Sequence, residues 1–430
     1  MPFRLDTRHA GFGEEFETLL GSKREASEEV GIAVAAILDD VRVRGDEAVL
    51  AYTDRFDKLP LTAATLAFST AELDAATAAI DGEVRAALQL AHDRIHAHHL
   101  KQKPLDNIYR DQLGVTLGTV WTAIDAVGIY VPGGTASYPS SVLMNAVPAK
   151  VAGVSRIAMA VPTPRGETNP AVLAAARIAG VTEIYRVGGA QAIGALAYGT
   201  ETIKPVSKIV GPGNAYVAAA KRQVFGTVGI DMIAGPSEVL VIADSSANPA
   251  WVAADLLAQA EHGGGAQSIL VTTDEALADA VAREVDRQIA LLPRADITRD
   301  GWQEFGAIII VRSLAEAVEL ANRIASEHVE LMLDDPMAIQ PKIRNAGAIF
   351  LGHHTPEAIG DYVGGSNHVL PTARSARFAS GLGVLDFMKR TSILGCDPGS
   401  LAELAPAAVT LARTEGLDAH GRSVSIRLNR

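Results

Sequence analysis

Between Ile124 and Ala243 the sequence alternates short apolar runs with segments of helical periodicity, and this alternation constrains the fold more than any other feature. A chain that alternates strand and helix builds a parallel sheet covered by helices. Asn169-Pro170 and Asn214 are typical helix starts, and Gly180 and Gly226 are the matching helix ends. The predicted strands are 126–131, 156–161, 183–187, 207–210 and 239–243.

The same alternation resumes after residue 265, with predicted strands 268–272, 307–311, the VELML run and 347–351. Residues 1 to about 110 have mostly helical periodicity, clearest over 40–54 and 71–100, and residues 400–430 form a helical tail. We therefore predict an α/β protein with two Rossmann-like parallel-sheet domains and small helical segments at the N-terminus and C-terminus.

Composition narrows the possible partners. The 430 residues are 48% hydrophobic, which is typical of a large globular core, and a net charge of −12 without long runs of one sign attracts neither nucleic acid nor an anionic membrane. The start lacks the pattern of a secretory signal, and no apolar run reaches the length of a membrane span. Cys396 is the single cysteine, which excludes intrachain disulfides and is expected of a cytoplasmic protein. A small molecule is the expected partner.

Three glycine-rich turns follow predicted strands: VPGGTASYPSS from Val131, VGGAQAIGALAYG from Val187 and VGPGNAYV from Val210. Ligands of parallel sheets bind beyond the carboxyl ends of the strands, and small residues there let backbone amides approach a phosphate. The classical G-x-G-x-x-G fingerprint is absent, and Lys208 is basic where a ribose-binding acid would be sought. Each turn taken alone is better explained as a tight loop, but three turns at one edge favour a nucleotide or phosphate site.

A predicted helix in NPAWVAADLLAQAEHGGG begins after Asn248 and carries Gln259 and His262 on its last turn. A spacing of three points both side chains the same way, which suits two donors to one metal ion or one ligand. The alternative is that His262 only caps the helix C-terminus, where the dipole favours an imidazolium. With one cysteine in the chain, any metal must use histidine, carboxylate or amide ligands.

Glu327 and His328 are adjacent residues between a predicted helix and the predicted VELML strand. A capping box formed by Ser313 and Glu316 marks the start of that helix. An acid next to an imidazole is a candidate general acid and base pair, because burial and mutual interaction move both pKa values into the working range. An ordinary surface pair is the alternative.

Further polar residues lie in glycine-rich segments. Asp361 and His368 fall in the loop GDYVGGSNHVLPT, and Glu415 and His420 flank Gly416 in the tail. Polar side chains on such loops are more often functional than structural.

Three histidines, His92, His96 and His99, recur at helical spacing near the end of the first 110 residues. A metal-binding face is conceivable. We favour a solvated helix face, because no carboxylate partner is in place to orient a histidine ligand.

Eight sequence blocks occur in order between about residues 124 and 424: VPGGTASYPSSVLMNAVPAKVAGV, VGGAQAIGALAYGT, VGPGNAYVAAAK, AGPSEVLVIAD, LLAQAEHG, ASEHVEL, GDYVGGSNHVLPT and EGLDAHGRSV. Together they resemble the histidinol dehydrogenase family, whereas residues 1–110 add little. The resemblance implies a zinc-dependent enzyme that oxidises L-histidinol to L-histidine with two NAD⁺, by way of L-histidinaldehyde, in the last step of histidine biosynthesis.

The resemblance also implies roles for single residues. Glu327 and His328 would be the acid and base pair, with His328 taking the alcohol proton and Glu327 activating the water that hydrates the aldehyde. The zinc ligands, which would also hold the substrate together with His328, would be Gln259, His262, Asp361 and His420. Further substrate contacts would be Ser237, His368 and Glu415. The NAD contacts would be Tyr130, Gln191 and Asn214. One amide oxygen, two imidazoles and one carboxylate suit Zn²⁺.

A homodimer with shared sites is implied as well. We predict an N-terminal helical segment over 1–25, a first α/β domain of 26–129 with 238–382 that carries the metal and the catalytic pair, a second α/β domain of 130–237 that contacts NAD, and a tail of 383–430 that reaches the partner subunit.

Three other functions would use some of these residues. A sister dehydrogenase for another small polar alcohol would not need His420 and Glu415. A zinc hydrolase would use His, Asp and Glu around a metal-bound water, but would not need three glycine turns. A metal-binding protein without activity would have no use for Glu327 beside His328.

Overall fold

The computed structural model describes residues 2–21, 28–133, 138–233, 235–263 and 265–428, with the side chain of Glu28 left out. It is a mixed α/β structure in which two parallel sheets are covered by helices, as predicted, and a small antiparallel sheet lies beside them. No helix in these ranges is long and apolar enough to cross a membrane.

The strands of the described ranges, numbered along the chain, are β1 (Phe3–Asp6), β2 (Asn107–Arg110), β3 (Thr116–Ala123), β4 (Ala126–Tyr130), β5 (Arg156–Ala160), β6 (Glu183–Tyr185), β7 (Lys208–Val210), β8 (Gly229–Ile230), β9 (Glu238–Ala243), β10 (Gln267–Thr272), β11 (Ala307–Ile310), β12 (His328–Met332), β13 (Ala348–Leu351) and β14 (Met388–Gly395).

The helices are α1 (Phe12–Gly21), α2 (Glu28–Arg44), α3 (Asp46–Asp57), α4 (Ala63–Leu66), α5 (Thr70–Ala79), α6 (Gly82–Leu100), α7 (Pro139–Ala152), α8 (Pro170–Ile178), α9 (Gly189–Tyr198), α10 (Ala215–Val224), α11 (Pro249–Ala260), α12 (Glu275–Ile289), α13 (Ala295–Phe305), α14 (Leu314–Ile324), α15 (Glu357–Tyr362), α16 (Pro398–Thr414) and α17 (Asp418–Ser425).

The larger sheet has six parallel strands in the order β1-β11-β10-β9-β12-β13. Its strands are apolar on both faces, as expected for a parallel sheet between two helical layers. Leu240 and Ile242 pack with α1 and α14, while Val239 and Val241 pack with α11, α12 and α13. His328 pairs with Val239 in register, so its side chain lies on the face that α11 covers.

The second sheet has five parallel strands in the order β6-β5-β4-β7-β8. From β4 the chain builds β5 and β6 on one side and then returns to place β7 and β8 on the other side. The order of the strands therefore reverses between β4 and β7, and the crevice at such a reversal is where ligands of open parallel sheets bind.

The helices before residue 100 pack on this five-stranded sheet. One face of the sheet carries α7 and α8 with Leu88 and Ile95 of α6, and the other carries α9 and α10 with Val34 and Val41 of α2. This packing groups residues 28–100 with the five-stranded sheet, whereas the predicted division placed them with the six-stranded one. The division into domains itself stays a prediction.

The third sheet is antiparallel, in the order β14-β3-β2. All residues of β2 and most of β14 are exposed, so neither strand shows the alternation by which a half-buried strand is recognised in a sequence. The tail helices predicted after residue 400 are present as α16 and α17. The tail also contains β14, which was not predicted.

Every strand predicted within 126–351 is present, with ends shifted by two residues or fewer. The helix pattern predicted over 40–54 is broken, because Gly45 has φ +54° and separates α2 from α3. The pattern over 71–100 likewise belongs to two helices, since Asp81 caps α6 by accepting a hydrogen bond from the Val84 amide.

Candidate active site

The catalytic pair predicted from the sequence is buried at the amino edge of the six-stranded sheet. Helix α14 ends at Ile324, and its cap residue Ala325 has a left-handed φ of 53°. Ser326 and Glu327 then lead into β12, which begins at His328. Only 5% of Glu327 and 4% of His328 is exposed. The alternative of an ordinary surface pair is therefore wrong.

The His328 ring is fixed by its Nδ1 atom, which donates a hydrogen bond of 3.0 Å to the Glu238 carbonyl oxygen. A carbonyl can only accept, so the neutral ring carries its proton on Nδ1 and leaves Nε2 as the basic nitrogen. Nε2 makes no hydrogen bond and lies 3.6 Å from Oδ1 of Asp361. His328 is thus held with a free basic nitrogen facing Asp361.

Glu327 is held by the neighbouring strand. Its Oε2 accepts a hydrogen bond of 3.0 Å from the Glu238 amide, and its own amide donates one of 3.3 Å to the Glu238 carboxylate. The same oxygen of Glu327 lies 3.8 Å from His328 Nδ1. Burial raises the pKa of Glu327 to about 7, against the opposing effect of His328 and the Glu238 amide.

Carboxylates surround His328 on several sides. Oε2 of Glu357 lies 3.5 Å from its Nδ1, in addition to the contacts with Glu327 and Asp361. Burial by itself lowers the pKa of His328, but these three carboxylates outweigh burial and raise that pKa well above its ordinary value. These carboxylates therefore stabilise the imidazolium that forms when His328 takes up a proton.

Two of these acids come from α15, where Glu357 and Asp361 lie four residues apart on one face. Burial raises the pKa of Asp361, but the histidines around it, His328 first, outweigh burial and lower it. Burial raises the pKa of Glu357 to about 8. One carboxyl of the helix therefore favours the ionised form and the other the protonated form.

His368 is oriented by the segment it follows. Its Nδ1 donates a hydrogen bond of 2.9 Å to the Asp361 carbonyl oxygen, and its Nε2 lies 3.1 Å from the hydroxyl of Ser141 on α7. A helix that covers the five-stranded sheet thus contacts the loop at the amino edge of the six-stranded sheet.

The loop between Asp361 and His368 is also fastened to α6. Arg94 donates hydrogen bonds of 2.6 and 2.9 Å to the carbonyl oxygens of Val363 and Gly364. Asn367 donates one of 2.6 Å to the Met144 carbonyl oxygen, and its Nδ2 lies 3.5 Å from Nε2 of His99. The first 110 residues therefore support the site, although the sequence assigned them no part in it.

The histidines of α6 differ in exposure. His96 is exposed, as expected for a solvated face, but His99 is fully buried and its Nδ1 lies 2.8 Å from the Ile95 carbonyl oxygen. The solvated-face prediction is therefore right for His96 and wrong for His99, because the loop of residues 361–368 covers the end of the helix.

Helix α11 places Gln259 over the same edge. The Asn248 side chain accepts a hydrogen bond of 2.9 Å from the Ala250 amide, which caps the helix as predicted. Gln259 is 1% exposed in the last turn, and its Nε2 has no hydrogen-bond partner in the described structure. His262 lies two residues beyond the helix rather than on its last turn. Loss of hydration lowers the pKa of His262, which favours the neutral imidazole that a metal requires.

Ser237 immediately precedes β9 and is half-buried, so it reaches the same edge as Glu238 and His328. Its carbonyl oxygen accepts a hydrogen bond of 3.0 Å from the Gln267 amide, which fixes the backbone at this position.

Glu415 and His420 are exposed on the tail, at the end of α16 and on α17. Within the described part of one chain, no three residues of the His, Cys, Asp and Glu types form a cluster able to hold a metal ion. His262, Asp361 and His420 are therefore not gathered by a single chain.

The residues predicted to contact NAD lie at the carboxyl edge of the five-stranded sheet. Tyr130 ends β4, and its hydroxyl accepts a hydrogen bond of 3.1 Å from the Gly189 amide. Burial raises the pKa of this tyrosine to about 12. Gln191 is buried in the first turn of α9 with an unpartnered Oε1, and the Asn214 side chain caps α10. Residues 134–137 of the first glycine turn lie outside the described residues.

A cavity of about 570 Å³ opens beside this edge. Pro132 and Gly133 of the turn after β4 line it together with Pro162, which follows β5, and with Asp57 and Arg165. A second cavity, of about 580 Å³, lies behind the loop of residues 361–368, between Arg94 and Phe350.

Sequence reasoning missed Glu238 and Glu357, which contact the pair, and Ser141 and Arg94, which hold the loop that carries Asp361 and His368. Only Glu357 carries a local signal, because it precedes Asp361 by one helical turn. The others reach the site through strand register or through contacts between distant segments.

The chain is similar to known proteins over its whole length. The histidinol dehydrogenase family model matches residues 21–428. A histidinol dehydrogenase of Rhizobium meliloti is 66% identical, covering 100% of this chain and 99% of its own, and one of Nitrobacter winogradskyi is 66% identical, covering 100% of both. The crystal structure of a histidinol dehydrogenase from Elizabethkingia anophelis matches with a TM-score of 0.95 at 38% identity, covering 100% of this chain and 98% of that one.

Proposed function

The chain belongs to the histidinol dehydrogenase family, and on that premise we propose that histidinol is oxidised at the amino edge of the six-stranded sheet by NAD⁺ bound at the carboxyl edge of the five-stranded sheet. The reaction is the NAD-dependent oxidation of L-histidinol to L-histidine in histidine biosynthesis. Family membership decides against a hydrolase, a sister dehydrogenase and a non-catalytic metal-binding protein.

The single observation that carries the proposal is the orientation of His328. Its Nδ1 is committed to the Glu238 carbonyl, and its Nε2 is unpartnered beside Asp361. A hydroxyl placed next to Nε2 can transfer its proton to this nitrogen while hydride leaves the same carbon for NAD⁺. The product of that step is the aldehyde.

Glu327 is proposed to serve the second oxidation. The aldehyde must add water before a second hydride can leave, and a buried carboxyl with a pKa of about 7 can remove a proton from that water at neutral pH. A second transfer of a hydroxyl proton and a hydride then gives the carboxylate. The whole sequence consumes one water and two NAD⁺ and releases three protons.

The amide, imidazole and carboxylate donors fit a zinc ion. We propose Gln259, His262 and Asp361 as ligands from one chain, supported by the burial of the Gln259 side chain at this edge and by the lowered pKa of His262. His420 would be the fourth ligand. A zinc ion bound there would act as a Lewis acid that grips the imidazole and amine of the substrate.

The remaining substrate contacts are proposed from position. Ser237 and His368 lie at the same amino edge, where the bond of His368 to the Asp361 carbonyl fixes its ring. Glu415 would join them from the tail. With the metal ligands and His328, these side chains surround a small polar molecule rather than an extended one.

NAD⁺ is proposed to bind across the end of β4. Tyr130, Gln191 and Asn214 lie at this carboxyl edge, and the cavity lined by Pro132 and Pro162 opens at the ends of β4 and β5. The N-termini of α9 and α10 face this edge, and their free amides favour the negative charge of a pyrophosphate.

The tail is proposed to complete the site of a second subunit in a two-fold dimer. His420 and Glu415 are exposed and are not gathered with His262 and Asp361 by one chain. The tail segment also exposes Leu394, Leu411 and Ile426, which is apolar surface available for contact with a partner. A two-fold axis makes such an exchange reciprocal.

We place the enzyme in the cytoplasm, as the single free cysteine led us to expect.

A coupled assay tests this function. NAD⁺ reduction should be measured with histidinol and with a panel of other amino alcohols, in metal-free protein and after adding Zn²⁺. We expect turnover with histidinol only, loss of turnover after chelation, and recovery with Zn²⁺. Full activity of rigorously metal-free protein would overturn the zinc assignment, and equal activity on all amino alcohols would overturn the substrate contacts.

A further inference from the structure

The turn after β7 is unusually confined. Gly211 has φ +110°, and a Cβ atom at this position would lie 2.2 Å from the Tyr130 carbonyl oxygen. The backbone therefore passes directly against the end of β4, at the point where the strand order reverses. Three residues later, the same turn delivers Asn214 to the start of α10.

A buried ion pair holds this turn. Lys221 of α10 and Asp231, which follows β8, are paired, and their side chains are 3% and 1% exposed. Lys221 Nζ donates a hydrogen bond of 2.9 Å to the Gly211 carbonyl oxygen, and Asp231 Oδ2 accepts one of 2.8 Å from the Gly211 amide. Both backbone polar groups of Gly211 are thus bound by one pair of opposite charges.

Stability alone is a poor reason for such a pair. Removing two charges from water is costly, and well-packed apolar residues in place of a buried ion pair often leave a protein equally stable or more so. A buried pair is better explained when it fixes one arrangement of the backbone. Here the arrangement that it fixes is the turn between Tyr130 and Asn214.

The same sheet offers a contrasting pair. Arg156 and Glu183 begin β5 and β6 at the opposite edge, with side chains 20% and 31% exposed. Arg156 donates to the carbonyl oxygens of Lys204 and Pro205 as well. This pair also joins distant backbone, but far from the predicted NAD contacts, and it therefore serves as a matched control.

We propose that Lys221 and Asp231 are positioning residues for NAD⁺. By holding both backbone groups of Gly211, they keep the Gly211–Asn214 turn at the distance from Tyr130 that the dinucleotide requires. The inference rests on the proposed NAD⁺ site at this edge. It adds Lys221 and Asp231 as the residues that hold the backbone of Gly211 in place beside that site.

The test compares two charge-neutral double variants. Lys221→Met/Asp231→Leu removes both hydrogen bonds to Gly211 without leaving a lone buried charge, and Arg156→Met/Glu183→Leu does the same to the control pair. In the first we expect KM for NAD⁺ to rise by about tenfold or more, while kcat and KM for histidinol change by less than about threefold. In the control we expect a lower Tm and an unchanged KM for NAD⁺.

A conservative variant separates positioning from a general loss of structure. Lys221→Met/Asp231→Asn keeps an acceptor for the Gly211 amide, and it should recover part of the affinity for NAD⁺. It also takes the place of the leucine variant in the same assay if that variant does not fold. An unchanged KM for NAD⁺ in the folded variants, or equal rises in KM for NAD⁺ and for histidinol, would overturn the proposal.

Failure of the NAD⁺ site itself is distinguished by Asn214→Ala and Tyr130→Phe. If these leave KM for NAD⁺ unchanged, the proposed cofactor site is wrong. If they raise it while the folded variants of the ion pair do not, the site stands and the positioning role is wrong.

Discussion

The predicted functional residues of the two parallel sheets lie at opposite edges. The five-stranded sheet presents its predicted NAD contacts at the carboxyl ends of β4 and β7, whereas the six-stranded sheet presents Glu238 and His328 at the amino ends of β9 and β12. The carboxyl-edge rule for ligands of parallel sheets therefore describes only one half of the molecule.

The difference follows from what each edge offers chemically. At the carboxyl edge, α9 and α10 begin, and free amides at helix N-termini favour an anion such as a dinucleotide pyrophosphate. At the amino edge, α11 ends beside Gln259, and the negative end of its dipole favours a cation. The orientation of the helices thus supports the proposal that the anionic cofactor binds at one edge and a metal ion at the other.

Titratable groups follow the same division. Glu327, His328, Glu357 and Asp361 lie together at the amino edge, and burial or mutual interaction shifts the pKa of each. The carboxyl edge relies on a tyrosine hydroxyl, two amides and backbone. This division agrees with the proposal that proton transfer takes place at the first edge and that the cofactor binds at the second.

The largest expected effect comes from His328→Asn, which removes the base and keeps the size of a polar side chain. We expect kcat to fall by about 10²-fold or more for both oxidation steps, since a positioned base is lost from each. NAD⁺ affinity should not change, and equilibrium titration of NAD⁺ checks this. His96→Asn, on the exposed face of α6, is the control and should retain activity. A weakened affinity for NAD⁺ in His328→Asn would contradict the separate roles proposed for the two edges.

Glu327→Gln should act on one step at the same edge. Because Glu327 is proposed to activate the water that hydrates the aldehyde, oxidation of added histidinaldehyde should slow by about 10²-fold, and more than oxidation of histidinol to the aldehyde. Single-turnover measurements of the two half-reactions distinguish them. Glu319→Gln, an exposed change on α14, should alter neither, and equal slowing of both steps by Glu327→Gln would refute the division of roles.

Mixed dimers test whether the site at the amino edge of the six-stranded sheet needs residues from a second subunit. Dimers of His420→Ala subunits and dimers of His328→Asn subunits should each be inactive. When the two variants are co-expressed, about half of the randomly assorted dimers are mixed, and each mixed dimer contains one intact site. Co-expression should therefore restore about a quarter of wild-type activity. Mixing His328→Asn with His262→Ala, which lie on the same edge of one chain, should restore none. Activity no higher than that of the parents in the first mixture would rule out a shared site.

The smallest expected effect concerns backbone strain. Gly189 and Gly211 occupy left-handed positions at the carboxyl edge, whereas Ala325 occupies one beside the catalytic pair. Ala325→Gly relieves a steric cost of about 1–2 kcal/mol in the folded protein. It also increases the conformational entropy of the unfolded chain and removes a buried methyl group, and both changes are destabilising. Because these effects oppose each other, the free energy of unfolding should change by less than about 1 kcal/mol. Gly211→Ala should cost more than about 2 kcal/mol, because its Cβ meets the Tyr130 carbonyl. Denaturant unfolding of both variants measures the contrast, and equal losses would contradict it.

The sequence predicted the elements that carry strong local signals. Continuous apolar runs marked the central strands, and Asn169, Asn214 and Asn248 marked helix starts that the structure confirms. It missed β1, which pairs with a strand some 300 residues later, and the exposed β2 and β14. Where burial is slight or the partner is distant, the pattern along the chain contains too little information.

In the candidate site, too, the sequence predicted some residues and missed the contacts that depend on distant segments. The sequence blocks identified Glu327 and His328, but not that Glu238 holds both of them from β9. That contact depends on the register of two parallel strands, which no local pattern specifies. Likewise the link from Arg94 to the Val363 carbonyl joins segments 269 residues apart.

The assignment of metal and cofactor to opposite edges is tested most directly by titrating Zn²⁺ and NAD⁺ separately into two variants of metal-free protein. We predict that His262→Ala weakens Zn²⁺ binding by at least about tenfold and leaves NAD⁺ binding unchanged, and that Asn214→Ala does the reverse. Calorimetry gives both affinities on the same samples. If either substitution weakened both ligands equally, or if the effects were exchanged, the two edges would not have the separate roles described.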